Sequence, residues 1–167
     1  MGTVNPQVIV IMGVAGSGKT TVGRTLAESL GWPFADADDF HPPANVARMS
    51  AGQPLTDEDR APWLAAIRAW IEARLVRGET GVVTCSALKA AYRRALLAGD
   101  ARIRLVHLQG TREQLQARIA ARQNHFMKPA MLDSQLAALE PPADALTLNL
   151  APPPADLAAA IRRELHL

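Results

Sequence analysis

At 167 residues with 49% apolar side chains, the chain can bury a core without staples, and its single cysteine, Cys85, excludes an internal disulfide. No run approaches the roughly 18 apolar residues of a membrane span and no signal-peptide pattern opens the chain, so the expectation is a cytoplasmic protein with no membrane partner. A net charge of +2 is too small to point to nucleic acid, although 15 of the 18 cationic residues are Arg, whose planar fork suits carboxylates and phosphates.

In chain order, residues 7–12 (QVIVIM) read as a fully buried strand. A Gly-rich turn and a helix ending near Leu30 follow, with Gly31 as the stop. Residues 33–36 make a short second strand. The spacing of Trp63, Leu64, Ile67, Trp70, Ile71 and Leu75 predicts a helix over 56–77. It starts at Thr56 or nearer Asp59, because Pro62 fits comfortably only in a first turn. Residues 81–86 (GVVTCS) are a third strand, 87–98 a helix closed by Gly99, 103–109 a fourth strand and 112–122 a helix. Residues 123–128 look irregular, 130–139 helical, 145–150 a fifth strand and 155–165 a last helix. Strands alternating with helices imply parallel pairing with helices on both faces. The expected fold is one three-layer α/β domain over residues 1–167, with about five parallel strands.

Residues 13–20, GVAGSGKT, match G-x-x-x-x-G-K-[ST] at every fixed position, between a buried strand and a helix. Glycines at 13, 16 and 18 let the loop curl so that backbone N–H groups point at phosphate oxygens. Gly13, Val14, Ala15, Gly16, Ser17, Gly18, Lys19, Thr20 and Thr21 therefore form the expected ATP-binding set. Lys19 would meet the β- and γ-phosphates, and the Thr20 hydroxyl a Mg²⁺ ion. A guanine-nucleotide switch is excluded by the absence of N-K-x-D and D-x-x-G. The third strand ends in Cys85 and Ser86 rather than an Asp; the acids instead follow the second strand, as Asp36 and Asp38. That placement suits a kinase for a small acceptor.

Three further stretches carry a family resemblance: DADDFHPPANVARMSAGQPLTDEDRAPWL (36–64), CSALKAAYRRAL (85–96) and RQNHFMKPAMLDSQLAALE (122–140). From Val8 to about Glu140 the chain resembles the gluconate kinases of the small P-loop family, related in fold to shikimate kinase and the nucleoside monophosphate kinases. The resemblance implies a P-loop fold with a short lid, and ATP plus D-gluconate giving ADP plus 6-phosphogluconate with Mg²⁺. That reaction belongs to gluconate catabolism feeding the pentose phosphate pathway, and a homodimer is expected. Where the family commonly has Gly between the two acids, this chain has Ala37.

Gluconate is a polyol ending in a carboxylate, so its site needs hydroxyl partners and a cationic clamp. Asp38 and His41 can accept hydrogen bonds from hydroxyls, Asp38 as general base or orienting acceptor; Asp36 joins Thr20 at the metal. Arg48, Arg60, Lys89 and Arg93 are the candidates for the carboxylate, with Lys89 and Arg93 sharing a helix face. Ser86 sits at a strand's C-terminal end. Asp57 and His125 complete the expected substrate set. Arg118 and Arg122 precede the irregular segment and suggest a lid at roughly 123–131, with its arginines on the adenine side and the β/γ-phosphates and Arg122 among the catalytic residues. Trp63 and Trp70 are expected in the core. The alternatives are a kinase for shikimate or a nucleoside monophosphate, and a nucleotide-binding regulator without turnover.

Overall fold

The apolar run after Gln7 forms β1 (Val8–Met12), buried at every residue, as the centre of a parallel sheet requires. The computed structural model describes residues 5–121 and 129–167. In it, β1 is followed by α1 (Lys19–Leu30), β2 (Phe34–Asp36), a 3₁₀ turn (Ala37–Phe40), α2 (Pro43–Ser50) and α3 (Asp57–Val76). Then come β3 (Gly81–Thr84), α4 (Ala90–Leu97), β4 (Ile103–Gln109), α5 (Arg112–Ala121), α6 (Pro129–Ala138), β5 (Leu146–Asn149) and α7 (Pro154–Leu165). All five strands pair in parallel in the order β2-β3-β1-β4-β5. β1 is therefore flanked by β3 and β4, and the loop leaving its C-terminal end opens into the crevice where such sheets bind ligands.

Alternation along β1 divides the core into two layers. Val8, Val10 and Met12 pack with Trp63, Ile67, Ile71 and Leu96 of α3 and α4. Ile9 and Ile11 pack with Val22 and Leu26 of α1 and with Leu157 and Ile161 of α7. A smaller cluster of Val14, Leu115, Leu132 and Leu150 fastens α5 and α6 against the loop after β1. Among the described residues, no helix is long and apolar enough to cross a membrane.

α1 lies so close on the sheet that a Cβ on Gly23 would stand 2.5 Å from Thr84 Cγ2 and 2.9 Å from the Phe34 ring. Gly23→Ala is expected to lower the unfolding free energy by about 1–3 kcal/mol, the usual cost of overpacking. A urea midpoint equal to that of the parent would show that the helix lifts off without cost.

The fold departs from the sequence expectations at two places and settles one helix start left open. α2 arises within the acid- and proline-rich run, which shows no apolar period because only Asn45 of this helix is buried. Pro43 starts it, at a position where a fixed φ helps and the missing N–H is no loss. α3 starts at Asp57, decided by a capping box: Thr56 Oγ1 accepts the Asp59 N–H at 3.1 Å and Asp59 Oδ2 accepts the Thr56 N–H at 2.9 Å. Pro62 then lies inside the helix, past the first turn. α4 starts at Ala90 rather than 87, because Ala87 takes a left-handed φ of 46° and Lys89 is extended. The chain thus leaves β3 through a sharp turn before it becomes helical.

Candidate active site

Strand register brings the two halves of the site level. Asp36 pairs with Thr84 and Thr84 with Ile11, so β2, β3 and β1 end side by side. The loop after β1 curls through Gly16 and Gly18, both at φ 83°, a conformation that L side chains rarely adopt. A Cβ on Gly16 would also meet Ile119 at 2.7 Å, and one on Gly18 would lie 3.1 Å from Arg118 Nη1. Arg118 thus lies beside the phosphate loop, and it donates to the Leu150 carbonyl. From α6, Gln135 Oε1 accepts the Ala15 N–H at 2.7 Å. Thr21 is exposed on α1, its carbonyl bonded to Thr25 Oγ1.

Thr20 Oγ1 donates to Asp36 Oδ2 at 2.9 Å, while Asp36 Oδ1 accepts the Asp38 N–H at 2.9 Å. A hydroxyl and a carboxylate beside a phosphate cradle are hard oxygen donors, few in number. They fit Mg²⁺, which keeps several waters and takes one or two carboxylates along with phosphate oxygens. Asp36 makes this contact from β2, two strands away from β1. Cys85, just after β3, offers no alternative: burial pushes its thiol up to about 12, so it stays protonated and behaves as a small buried hydrophobe.

The 3₁₀ turn positions the acceptor side. Trp63 Nε1–H donates to the Ala37 carbonyl at 2.6 Å, pinning the turn to α3, and the His41 ring stacks on Trp63 with centroids 4.4 Å apart and planes 8° from parallel. Ala37 keeps a negative φ, so the backbone between the acids needs no glycine. Asp38 is open to solvent on one side but has several charged side chains around it. Lost hydration, then the neighbouring Asp36 charge, raise its pKa against the opposing pull of Lys19 and His41. Asp38, Asp36, Lys19 and His41 therefore occupy one electrostatic corner, and Asp39 is the weakest of the charges acting on Asp38 there.

The expected cations divide. Arg60 Nη1 donates to Tyr92 Oη at 3.1 Å, and Tyr92 O–H donates to Asp57 Oδ1 at 2.5 Å. Both Arg60 Nη1 and Lys89 Nζ lie 3.7 Å from that same Asp57 oxygen. The Tyr92 bond, then Lys89, lower the Asp57 pKa. Arg48 stands 3.5 Å from Asp59 Oδ2. Arg93 departs from the helix face expected to be shared with Lys89. It is buried and donates to the carbonyls of Ala87 at 2.9 Å, Leu88 at 3.0 Å and Glu140 at 2.7 Å. Lys89 caps α4 from outside the helix, so the two do not form a common cationic face; Arg93 instead secures the turn after β3, where Ser86 is half-buried.

Arg122, His125 and the irregular segment 123–128 lie outside the described residues, and 129–131 belong to α6. α5 and α6 are braced by Arg112, which donates to both carboxylate oxygens of Asp133 at 2.7 and 3.2 Å. Three contributors escaped sequence reasoning: Tyr92, Asn45 and Gln135. Tyr92 and Asn45 lie within the stretches 85–96 and 36–64 that carry the family resemblance, so a signal existed for both. Gln135 carries none, since its partner is a backbone N–H 120 residues away.

Comparison with known proteins agrees with this geometry. The chain matches the AAA domain family over residues 8–142. It is 50% identical over 139 residues to a gluconokinase from Gluconobacter oxydans, an alignment covering 83% of this chain and 78% of that protein. A crystal structure of a gluconokinase from Sinorhizobium meliloti superposes with a TM-score of 0.83 at 40% identity, covering 96% of both chains. A sugar kinase from Janibacter sp. HTCC2649 does so with a TM-score of 0.86 at 43% identity, covering 96% of this chain and 94% of that one. With relatives this similar aligned over most of its length, the chain belongs to the gluconokinase family.

Proposed function

We propose that this protein transfers the γ-phosphoryl group of ATP to the terminal hydroxyl of D-gluconate, giving ADP and 6-phospho-D-gluconate. The observation that carries the proposal is the meeting of two half-sites at the 3₁₀ turn. Asp36 is tied to the phosphate loop through Thr20, and Asp38 lies next to it beside Lys19 and His41. Loop N–H groups and Arg118 hold the triphosphate, and Lys19 balances charge on the β- and γ-phosphates. Thr20 and Asp36 would hold Mg²⁺, which when bound neutralises phosphate charge. Asp38 orients the acceptor hydroxyl and takes its proton as the new P–O bond forms and the bond to the ADP oxygen breaks.

The carboxylate end of gluconate falls to Arg60 and Lys89. These two cations share the single carboxylate of Asp57, which leaves the corner one positive charge in excess. A further carboxylate balances it. Arg48 already has Asp59 as a partner. Action in the cytoplasm and a homodimeric state belong to the same proposal.

The test is ADP release with Mg-ATP across gluconate, other aldonates, glycerate, shikimate and nucleoside monophosphates. Gluconate should give the highest kcat/KM. Preference for shikimate or a monophosphate would refute the proposal, and no turnover with any acceptor would leave a nucleotide-binding regulator as the reading.

A further inference from the structure

We propose that Asn45 holds His41 as the neutral tautomer protonated on Nε2, so that His41 meets the sugar acid as a hydrogen-bond donor and not as an acceptor. The first link is the orientation of the Asn45 amide. Asn45 is 4% exposed, and its Nδ2 lies 2.8 Å from the Asp59 backbone carbonyl, a group that only accepts. The NH₂ end of the amide is therefore the end that faces His41. The same Nδ2 lies 3.3 Å from His41 Nδ1, and an amide NH₂ has two hydrogens, one for each partner. Nδ1 must then offer a lone pair. A neutral ring whose Nδ1 accepts carries its proton on Nε2.

The surroundings keep the ring neutral. Protonation would set an Nδ1–H against the Asn45 N–H, two donors facing each other with no acceptor between them. Lost hydration on the stacked ring lowers the pKa; Asp38 from the 3₁₀ turn opposes this, and Arg60 from α3 adds to it. Arg48 of α2 and Asp59 of α3, whose carbonyl Asn45 also holds, form their own ion pair. Stacking on Trp63 fixes the ring plane, so the Nε2–H has a defined direction. Asn45 acts through His41 and is a positioning residue, and its consequence for gluconate rests on the proposed activity.

The experiment uses the full chain labelled with ¹⁵N-histidine, read by long-range ¹H–¹⁵N correlation of the imidazoles. The His41 signals are assigned from their absence in His41→Gln. Near neutral pH, wild-type His41 should show a protonated Nε2 and a bare Nδ1. Asn45→Asp replaces the donor with an acceptor, so the proton should move to Nδ1 or the ring become charged. Where the proton has left Nε2, KM for gluconate should rise about tenfold, as for one lost hydrogen bond, with KM for ATP unchanged; a charged ring keeps its Nε2–H, leaves KM for gluconate near the parent's and equally supports the inference. A wild-type ring protonated on Nδ1 would overturn the inference, as would an unaltered tautomer in Asn45→Asp. If that variant does not fold, the wild-type spectrum decides alone. Because the tautomer is read without substrate, it stands or falls separately from gluconate turnover: the stated tautomer in a protein inert to gluconate would count against the activity only.

Discussion

Lys19→Met is expected to lower kcat by about 10²–10³-fold, the loss typical of removing one preorganised charge partner from a developing anion. Lys19 opens α1, directly after the left-handed Gly18, and its charge acts on Asp38 and reaches Cys85 at the end of β3. It therefore stands between the phosphate loop and the acceptor corner. As the phosphoryl group moves, negative charge spreads over its oxygens, and a fixed cation stabilises that state more than the ground state. Met keeps the length of the side chain and removes only the charge. The loop N–H groups and Arg118 remain, so KM for ATP should change less than kcat, and the urea midpoint should stay close to the parent's. Steady-state kinetics with Mg-ATP and gluconate measure the split. Near-normal kcat in the variant would remove Lys19 from this role.

Asp38→Asn should reduce kcat by about 10²-fold or more, while Asp39→Asn should be nearly silent. The contrast follows from the 3₁₀ turn: Asp38 shares its corner with Asp36, Lys19 and His41, and Asp39 is the weakest of the charges acting there. The pH dependence adds a second measure. Burial and the Asp36 charge raise the Asp38 pKa, and the group works only when ionised. In wild type, kcat/KM should therefore fall in acid at a higher pH than an ordinary aspartate would give, and Asp38→Asn should lose that limb. The stability effect has the opposite sign. A raised folded pKa means that the folded state holds the proton more firmly than the unfolded chain. The group's contribution is then present at low pH and lost as pH rises through the folded pKa. At neutral pH, Asp38→Asn should accordingly be no less stable than the parent, although nearly inactive. Equal effects of the two substitutions would place the wrong acid at the site.

The parallel sheet, the phosphate loop and the acids after the second strand were all legible in the chain. Each rests on a local pattern: a buried apolar run in QVIVIM, glycines at the positions that need left-handed backbone, and an acid at the C-terminal end of a strand. Even the Thr20–Asp36 contact could be foreseen, because the sequence expectation placed both oxygens at one site. α2 was not legible, since a helix that buries only Asn45 has no apolar face to betray it. Nor was its start distinguishable from a loop, because a proline there suits both.

What tertiary structure alone decided is how each polar side chain is used. Arg93 and Lys89 look equivalent in sequence. The fold brings three backbone carbonyls, of Ala87, Leu88 and Glu140, to Arg93 and leaves Lys89 with the carboxylate of Asp57. The same holds for Gln135 at the Ala15 N–H and for Asn45 between His41 and Asp59. Backbone donors and acceptors are present at nearly every residue and carry no side-chain signature. Residue types and their spacing therefore determined which reaction class this chain supports. Only the folded arrangement, by setting which groups come within hydrogen-bond distance, decided which partners each cation and histidine has.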